Sequence, residues 1–411
     1  MQSARVWKRL LGVEHTVIEQ VRYDEDGVLV ALVRPTRSRR GRCGVCQRRC
    51  PGYDQGEGRR RWRTLDLGVV QAFLEADAPW VRCRQHGVVA AAVPWARHGA
   101  GFTRAFEDTA AWLATHTSRV AVAELLRVAW RTVGRVCVRV AAEQASLIDL
   151  LEGLRRIGID EISYKKGQRY LTVVVDHDRG RLVWAAPGAC EATLEQFFDI
   201  LGNSRCAKVE LVTADAADWV AAVVARRCPA AVRCADPFHV VKWATDALDA
   251  VRREVWNTAR KGGDTVVARE LKGARFALWK NPEDLTRRQR GKLARIAEVN
   301  QRLYRAYLLK EELRLVFKVK GPRAVALLDA RLAWARRCRI PAFVALARSV
   351  TTHRQTIVAS LLQGASNVRV ESVNTRLRLL TRIAFGFRST AALIGLAMLS
   401  LGGLCPPLPG R

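Results

Sequence analysis

The sequence predicts a multidomain α/β protein: a mixed sheet carrying a large all-helical insertion, preceded by a small cysteine-rich unit and a pair of helices. Three observations carry this prediction. Between residues 157 and 234, apolar β-branched runs alternate with stretches of helical spacing, the pattern of a sheet with helices packed on it. Between residues 246 and 364 the spacing is helical throughout and the charge lopsided, with 26 Lys and Arg against 11 Asp and Glu. At 411 residues the chain exceeds what one ordinary core holds together.

The elements follow in order. Residues 17–23 and 28–33 are apolar runs flanking Asp24, Glu25, Asp26 and Gly27, which predicts a β-hairpin with a glycine available for positive φ. Eleven cysteines in a chain without an export pattern argue against a disulfide framework, and the first of them are unevenly placed. Cys43 and Cys46 form one close pair, Cys83 and His86 a second; two thiolate or imidazole pairs are what a tetrahedral zinc site needs, and a segment this polar has little else to stabilise it. Cys50 is a spare that can replace one ligand. The remaining cysteines stand alone among apolar neighbours and receive no function.

Residues 102–144 turn helical, and within them residues 120–136 read as a helix, a tight break and a second helix presenting Arg131, Arg135 and Arg139 at four-residue intervals. Arginines on one face of a second helix reach guanine edges and phosphates in a major groove. An ordinary helical pair with a solvated basic face fits the local pattern equally well. The whole-chain charge tips the balance: 69 Lys and Arg against 39 Asp and Glu leave +30, a field that selects a polyanion. The most apolar stretch, residues 391–405, is shorter than the roughly 20 residues of a spanning helix and is broken by Gly395, Gly402 and Gly403, so a buried terminal helix is expected there. With no export signal in residues 1–20, a cytoplasmic location is expected.

Strands at residues 157–160, 170–175 and 181–186, a helix at 193–201, a strand at 209–213, a helix at 219–225 and a strand at 231–234 give the order β-β-β-α-β-α-β. Asp160 lies in the first strand and Asp215 just past the fourth; in a mixed sheet those strands can be neighbours. Carboxylates brought together this way suit magnesium or manganese, and two such ions support in-line displacement at phosphorus; a third carboxylate is then expected. Either Asp alone is more commonly a cap or strand-end residue.

Four motifs in order, residues 159–161, 212–215, 235–242 and 367–374, resemble the ISL-three family of bacterial insertion-sequence transposases, and the likeness extends through residues 93–96 and 379–387. The resemblance implies a DDE enzyme with an RNase H-like catalytic domain whose metal-binding acids are Asp160, Asp215 and Glu371, the last on a helix after the insertion. On that helix Asn374, Arg378 and Arg382 follow Glu371 at three- or four-residue spacing and are expected along DNA. Asp236 and His239 match a supporting Asp-x-x-His pair, with Asp236 the rival of Asp215 for the second position. Glu161 is expected on the opposite face of its strand. The implied domains are a β-hairpin unit (1–36), a zinc-binding domain (37–97), a helix-turn-helix domain (98–150), a catalytic domain in two parts (151–245 and 365–411) and the basic helical insertion (246–364). The implied activity is metal-dependent cleavage at the terminal inverted repeats of an insertion sequence and transfer of the 3′-OH to target DNA, by a homodimer or larger assembly on the bacterial nucleoid. The competing reading is a zinc and helix-turn-helix regulator that cuts nothing.

Overall fold

The computed structural model describes residues 2–165, 167, 169–364, 368–384 and 386–410. Asn367 of the last motif and Phe385 of the closing stretch lie outside the described residues. The chain forms two units, one of residues 1–150 with 377–411 and the other of residues 151–376.

The first unit opens with helix α1 (Gln2–Leu10) and the expected hairpin of β1 (Thr16–Tyr23) and β2 (Leu29–Pro35). Asp24 closes its turn by accepting from Asp26 N at 3.1 Å and Val28 N at 3.2 Å, with Gly27 at φ +72°. The cysteine-rich segment contributes β3 (Gly52–Asp54), β4 (Arg59–Arg63), β5 (Ala72–Asp77), β6 (Trp80–Cys83) and β7 (Gly87–Ala90). These form two sheets, of order β1-β2-β5-β4 and β3-β6-β7, with β5 parallel to β2. Leu11, Val33, Trp62, Leu74 and Trp95 pack into one core on the larger sheet.

Three helices follow: α2 (Arg104–His116), α3 (Arg119–Leu125) and α4 (Trp130–Leu147). Thr103 and Ser118 cap the first two by accepting from Phe106 N and Ala121 N. The apolar C-terminal helix, Thr390–Leu401, packs on α4, so closely that a Cβ on Gly395 would lie 3.0 Å from Val138 Cα. Arg119 is buried over the rings of Trp130 and Phe387, 5.4 and 4.1 Å from their centroids, and donates to Gly386 O at 3.1 Å. The chain's last part therefore completes the helix-turn-helix core. Residues 377–411 group with the first unit, where residues 365–411 were expected as the second part of the catalytic domain; the apolar spacing predicted the helix and said nothing of which element covers it.

The second unit contains the mixed sheet. Its strands are β8 (Arg156–Lys165), β9 (Arg169–Asp176), β10 (Arg181–Pro187), β11 (Leu211–Ala214) and β12 (Val232–Ala235), in the order β10-β9-β8-β11-β12. The first three form an antiparallel meander, while β11 runs parallel to both β8 and β12. Residues 171–176 are buried without interruption, as a strand covered on both faces requires. Helices α5 (Glu191–Leu201), α6 (Asn203–Cys206) and α7 (Asp218–Arg227) punctuate the strands and bury Phe197, Phe198, Val220 and Val223.

Helix α8 (Pro237–Lys261) runs through the boundary expected at residue 246, because Val240, Ala244, Leu248, Val251 and Val255 keep one apolar stripe unbroken. Pro237 at its first position and Asp236 as its cap fix where it begins. The rest of the insertion is α9 (Thr265–Leu271), α10 (Arg275–Trp279), α11 (Arg287–Val299), α12 (Gln301–Val316), α13 (Pro322–Arg337), α14 (Pro341–Thr352) and α15 (Arg354–Gln363), which share a core including Ile296, Leu303, Leu328, Phe343 and Ile357. Helix α16 (Val368–Ile383) follows. Among the described residues no helix is long and apolar enough to cross a membrane.

Candidate active site and zinc centre

Three aspartates stand where the parallel pairing of three adjacent strands runs out: Asp160 midway along β8, and Asp215 and Asp236 directly after β11 and β12. The register pairs Thr213 with Gly158 and Ala214 with Ala235, so Asp160, Asp215 and Asp236 each lie one or two residues beyond a paired position. Crevices outside the carboxyl ends of strands are where α/β sheets bind ligands. Burial, followed among the raising causes by the negative charges of Asp236 and Asp215, holds the Asp160 carboxyl above its ordinary range, while Glu161 N and His239 pull it down. His239 is raised, first by its hydrogen bond to Asp236 and then by the charges of Asp236, Asp160 and Asp215, against burial. One electrostatic field thus joins all four groups.

Their commitments differ. Asp236 uses both oxygens, Oδ1 accepting from Phe238 N at 3.2 Å as the cap of α8 and Oδ2 accepting from His239 Nδ1 at 2.7 Å. Asp215 Oδ1 accepts from Ala217 N at 3.1 Å, and its other oxygen has no partner among the described residues. Asp160 Oδ1 accepts from Glu161 N at 2.8 Å. Glu161, expected to face away, shares the acidic field: burial first, then Asp215 and Asp160, push its carboxyl up to about 7.

Helix α16 lies against β8. A Cβ on Gly158 would fall 2.3 Å from Val370 Cγ2 and 2.8 Å from His177 Nε2, so the glycine is what admits the helix. Asn374 Nδ2 donates to Asp160 Oδ2 at 2.6 Å, and Glu371, half-buried, stands one turn earlier on that face. Asn374 was expected along DNA; it is instead buried, 2 % exposed, and bonded to Asp160. Arg378 and Arg382, further along α16, are exposed.

The cysteine-rich segment of the first unit holds a tighter cluster. Donor atoms of Cys43, Cys46, Cys83 and His86 all lie within 4.8 Å of one another, and among the described residues no group of three or more carboxylates is drawn together as closely. Cys46 Sγ is 3.7 Å from Cys83 Sγ, and His86 Nδ1 is 3.7 Å from Cys43 Sγ and 3.5 Å from Cys83 Sγ. A tetrahedron with ordinary zinc bond lengths has edges of about 3.8 Å between sulfurs and about 3.6 Å between sulfur and nitrogen, so the donor set fits that ion. The Cys83 thiol is lowered to about 6, first by Gln85 N–H and then by His86, against burial. Cys50 stands beside the group, its Sγ 3.4 Å from Arg48 O.

Comparison with known proteins matches the chain to named families. A DDE family model described as "Transposase" covers residues 157–396, more than half of the chain. The chain belongs to the transposase family ISL3. The family's helix-turn-helix model matches residues 91–141, and the "zinc-finger of transposase IS204/IS1001/IS1096/IS1165" matches residues 39–86, around the four clustered ligands. The chain is 56 % identical, over all of its length and 98 % of the relative, to the transposase for insertion sequence element IS1557 of Mycobacterium tuberculosis. It is 26 % identical, over 94 % of its length and 96 % of the relative, to the transposase for insertion sequence element IS1001 of Bordetella parapertussis. This membership makes it a DNA transposase rather than a regulator that only binds.

In this ISL3 transposase the helix-turn-helix is held by arginines as well as presenting them. Arg127 occupies the turn at φ +52° and reaches Asp66 at 2.6 Å, while buried Arg63 donates to Arg127 O at 2.9 Å. On α4, Arg131 and Arg135 are exposed, but Arg139 donates to Glu107 Oε1 at 2.6 and 2.8 Å. Glu107 is 0 % exposed and also faces Arg97, so Arg139, expected as a DNA contact, is committed to a buried ion pair. Spacing placed all three arginines on one face and carried no trace of the acid that claims the third. Arg135→Ala is expected to weaken binding to the element's end by about 1–3 kcal/mol while leaving the melting temperature within a few degrees. Arg139→Ala is expected to lower the melting temperature instead. Titrating end DNA alongside thermal melts separates the two, and equal effects on both measures would reject the distinction.

Proposed function

We propose that this transposase cuts and joins DNA at an RNase H-like site in which Asp160, Asp215 and Glu371 hold two magnesium or manganese ions. The sheet order β10-β9-β8-β11-β12, with a meander followed by two parallel strands, supports the RNase H-like reading. The observation that carries the site is the placement of Asp160 and Asp215 each two residues beyond the last parallel pair of β8 and β11, with the Glu371 helix against β8 through Val370 and Asn374. Hard carboxylate oxygens, one of them on Asp215 without a competing donor, are the chemistry these cations take. Asp236 is the supporting residue, since both its oxygens are engaged by α8 and His239.

The cations, when bound, activate the attacking oxygen and neutralise the leaving one. The chain's part is orientation: Asp160 and Asp215 present carboxylates from a rigid sheet, and Glu371 adds a third from a helix packed on it. Water first attacks the phosphodiester at the element's end, breaking its P–O3′ bond to leave a 3′-OH on the element and a 5′-phosphate on the flank; that hydroxyl then attacks a target phosphodiester in the same site, and the target's 3′ oxygen leaves as a hydroxyl. Arg131 and Arg135 on α4, with Arg378 and Arg382 on α16, supply cationic contacts to DNA, and the zinc domain completes recognition of the terminal inverted repeats. Two ends are handled together, which calls for at least a dimer on DNA, working at the nucleoid in the cytoplasm. The test is to incubate the full chain with DNA bearing the element's ends and magnesium. Nicked ends and strand-transfer products are expected; nicks without joining would reduce it to a nuclease, and intact DNA would reject the proposal.

A further inference from the structure

Asn374 contributes nothing to a DNA surface, and its surroundings point elsewhere. Its side chain is 2 % exposed on α16, one turn beyond Glu371, and Nδ2 donates to Asp160 Oδ2 at 2.6 Å. A carboxylate only accepts, so the amide must turn its nitrogen, not its oxygen, toward Asp160. Asp160 Oδ1 is held independently by Glu161 N at 2.8 Å. Both oxygens of the carboxylate are thereby oriented, and each keeps a lone pair for a cation. The amide oxygen of Asn374 is buried with no donor among the described residues, a polar atom suited to a water that arrives with a cation.

We propose that Asn374 is a positioning residue that fixes the Asp160 carboxylate relative to the helix carrying Glu371, setting two ligands from distant parts of the chain in register for the divalent cation. The inference rests on Asp160 being a cation ligand. Partners that orient a ligand are worth about 10–100-fold in metal affinity. The bond links α16 to β8 at the point where Gly158 lets the helix approach, so its loss frees both the carboxylate and the local seating of the helix.

The experiment is a Mn2+ titration of the full chain followed by electron paramagnetic resonance, comparing the parent with Asn374→Ala, Asn374→Leu and Asp160→Ala. Leucine keeps the branched shape of asparagine without its hydrogen-bonding atoms, while alanine removes both, so the emptied space is separated from loss of the hydrogen bond. Both Asn374 variants are expected to bind Mn2+ about 10–100-fold more weakly. The magnesium needed for half-maximal cleavage should rise by a similar factor, most of the rate should return at saturating metal, and DNA binding in EDTA should not change. A folded Asn374 variant with the parent's Mn2+ affinity overturns the inference. If Asp160→Ala also binds like the parent, the assignment of Asp160 falls with it; if only the Asn374 variants do, that assignment stands.

Discussion

Asp160→Ala is expected to slow cleavage of the element's end by about 10³-fold, equivalent to about 4 kcal/mol of barrier and of the size a cation supplies. The effect on folding should be small because two changes oppose each other. The carboxyl is held above its ordinary range by burial and by Asp236 and Asp215, so its ionised form costs the folded state stability near neutral pH, and removal relieves that cost. Removal also leaves Asn374 Nδ2 buried without its acceptor, a penalty of about 1–3 kcal/mol. A gel assay of labelled end DNA read beside a thermal melt checks both halves. A variant that melts normally and cuts within tenfold of the parent would show that Asp160 is no ligand.

Removing zinc is expected to have the largest effect on folding, confined to the cysteine-rich segment. Strands β3, β6 and β7 have three or four residues each, too short to hold a sheet without a cross-link. A structural zinc site contributes about 10–16 kcal/mol in small domains of this kind. Cys83→Ser should therefore lose the ion, expose residues 42–91 to protease and abolish specific binding to the element's ends. Cys50→Ser should do none of these, since the four clustered donors already supply the number a tetrahedral ion takes. Elemental analysis with limited proteolysis decides the matter: retained zinc in Cys83→Ser, or lost zinc in Cys50→Ser, would redraw the site.

Features that sequence spacing expresses were readable in advance. The five strands of the mixed sheet, the helices between them and the clustering of Cys43, Cys46, Cys83 and His86 follow from local periodicity and from paired cysteines, and the observed elements fall within a few residues of expectation. Non-local features were not readable. Arg139 looked like its neighbours Arg131 and Arg135 because Glu107 lies 32 residues away and only the packing of α2 on α4 brings it near. Asn374 looked like a surface residue because its partner lies 214 positions earlier. Gly158 was unremarkable in the sequence; its meaning appears only when Val370 fills the space where a Cβ would be. The short strands of the cysteine-rich segment, rich in Arg and Gly, have no alternation to detect. The C-terminal helix announced its apolar face but not its neighbour, which proved to be α4.

The proposed chemistry requires Glu371 to join Asp160 and Asp215 around the same cations. The most direct measurement is anomalous diffraction from crystals of the full chain bound to end DNA and soaked in Mn2+. Two manganese peaks beside the scissile phosphate are predicted, with Asp160 and Asp215 ligating and Glu371 touching at least one ion. Manganese held by Asp160 and Asp236, with Glu371 outside coordination distance, would contradict it.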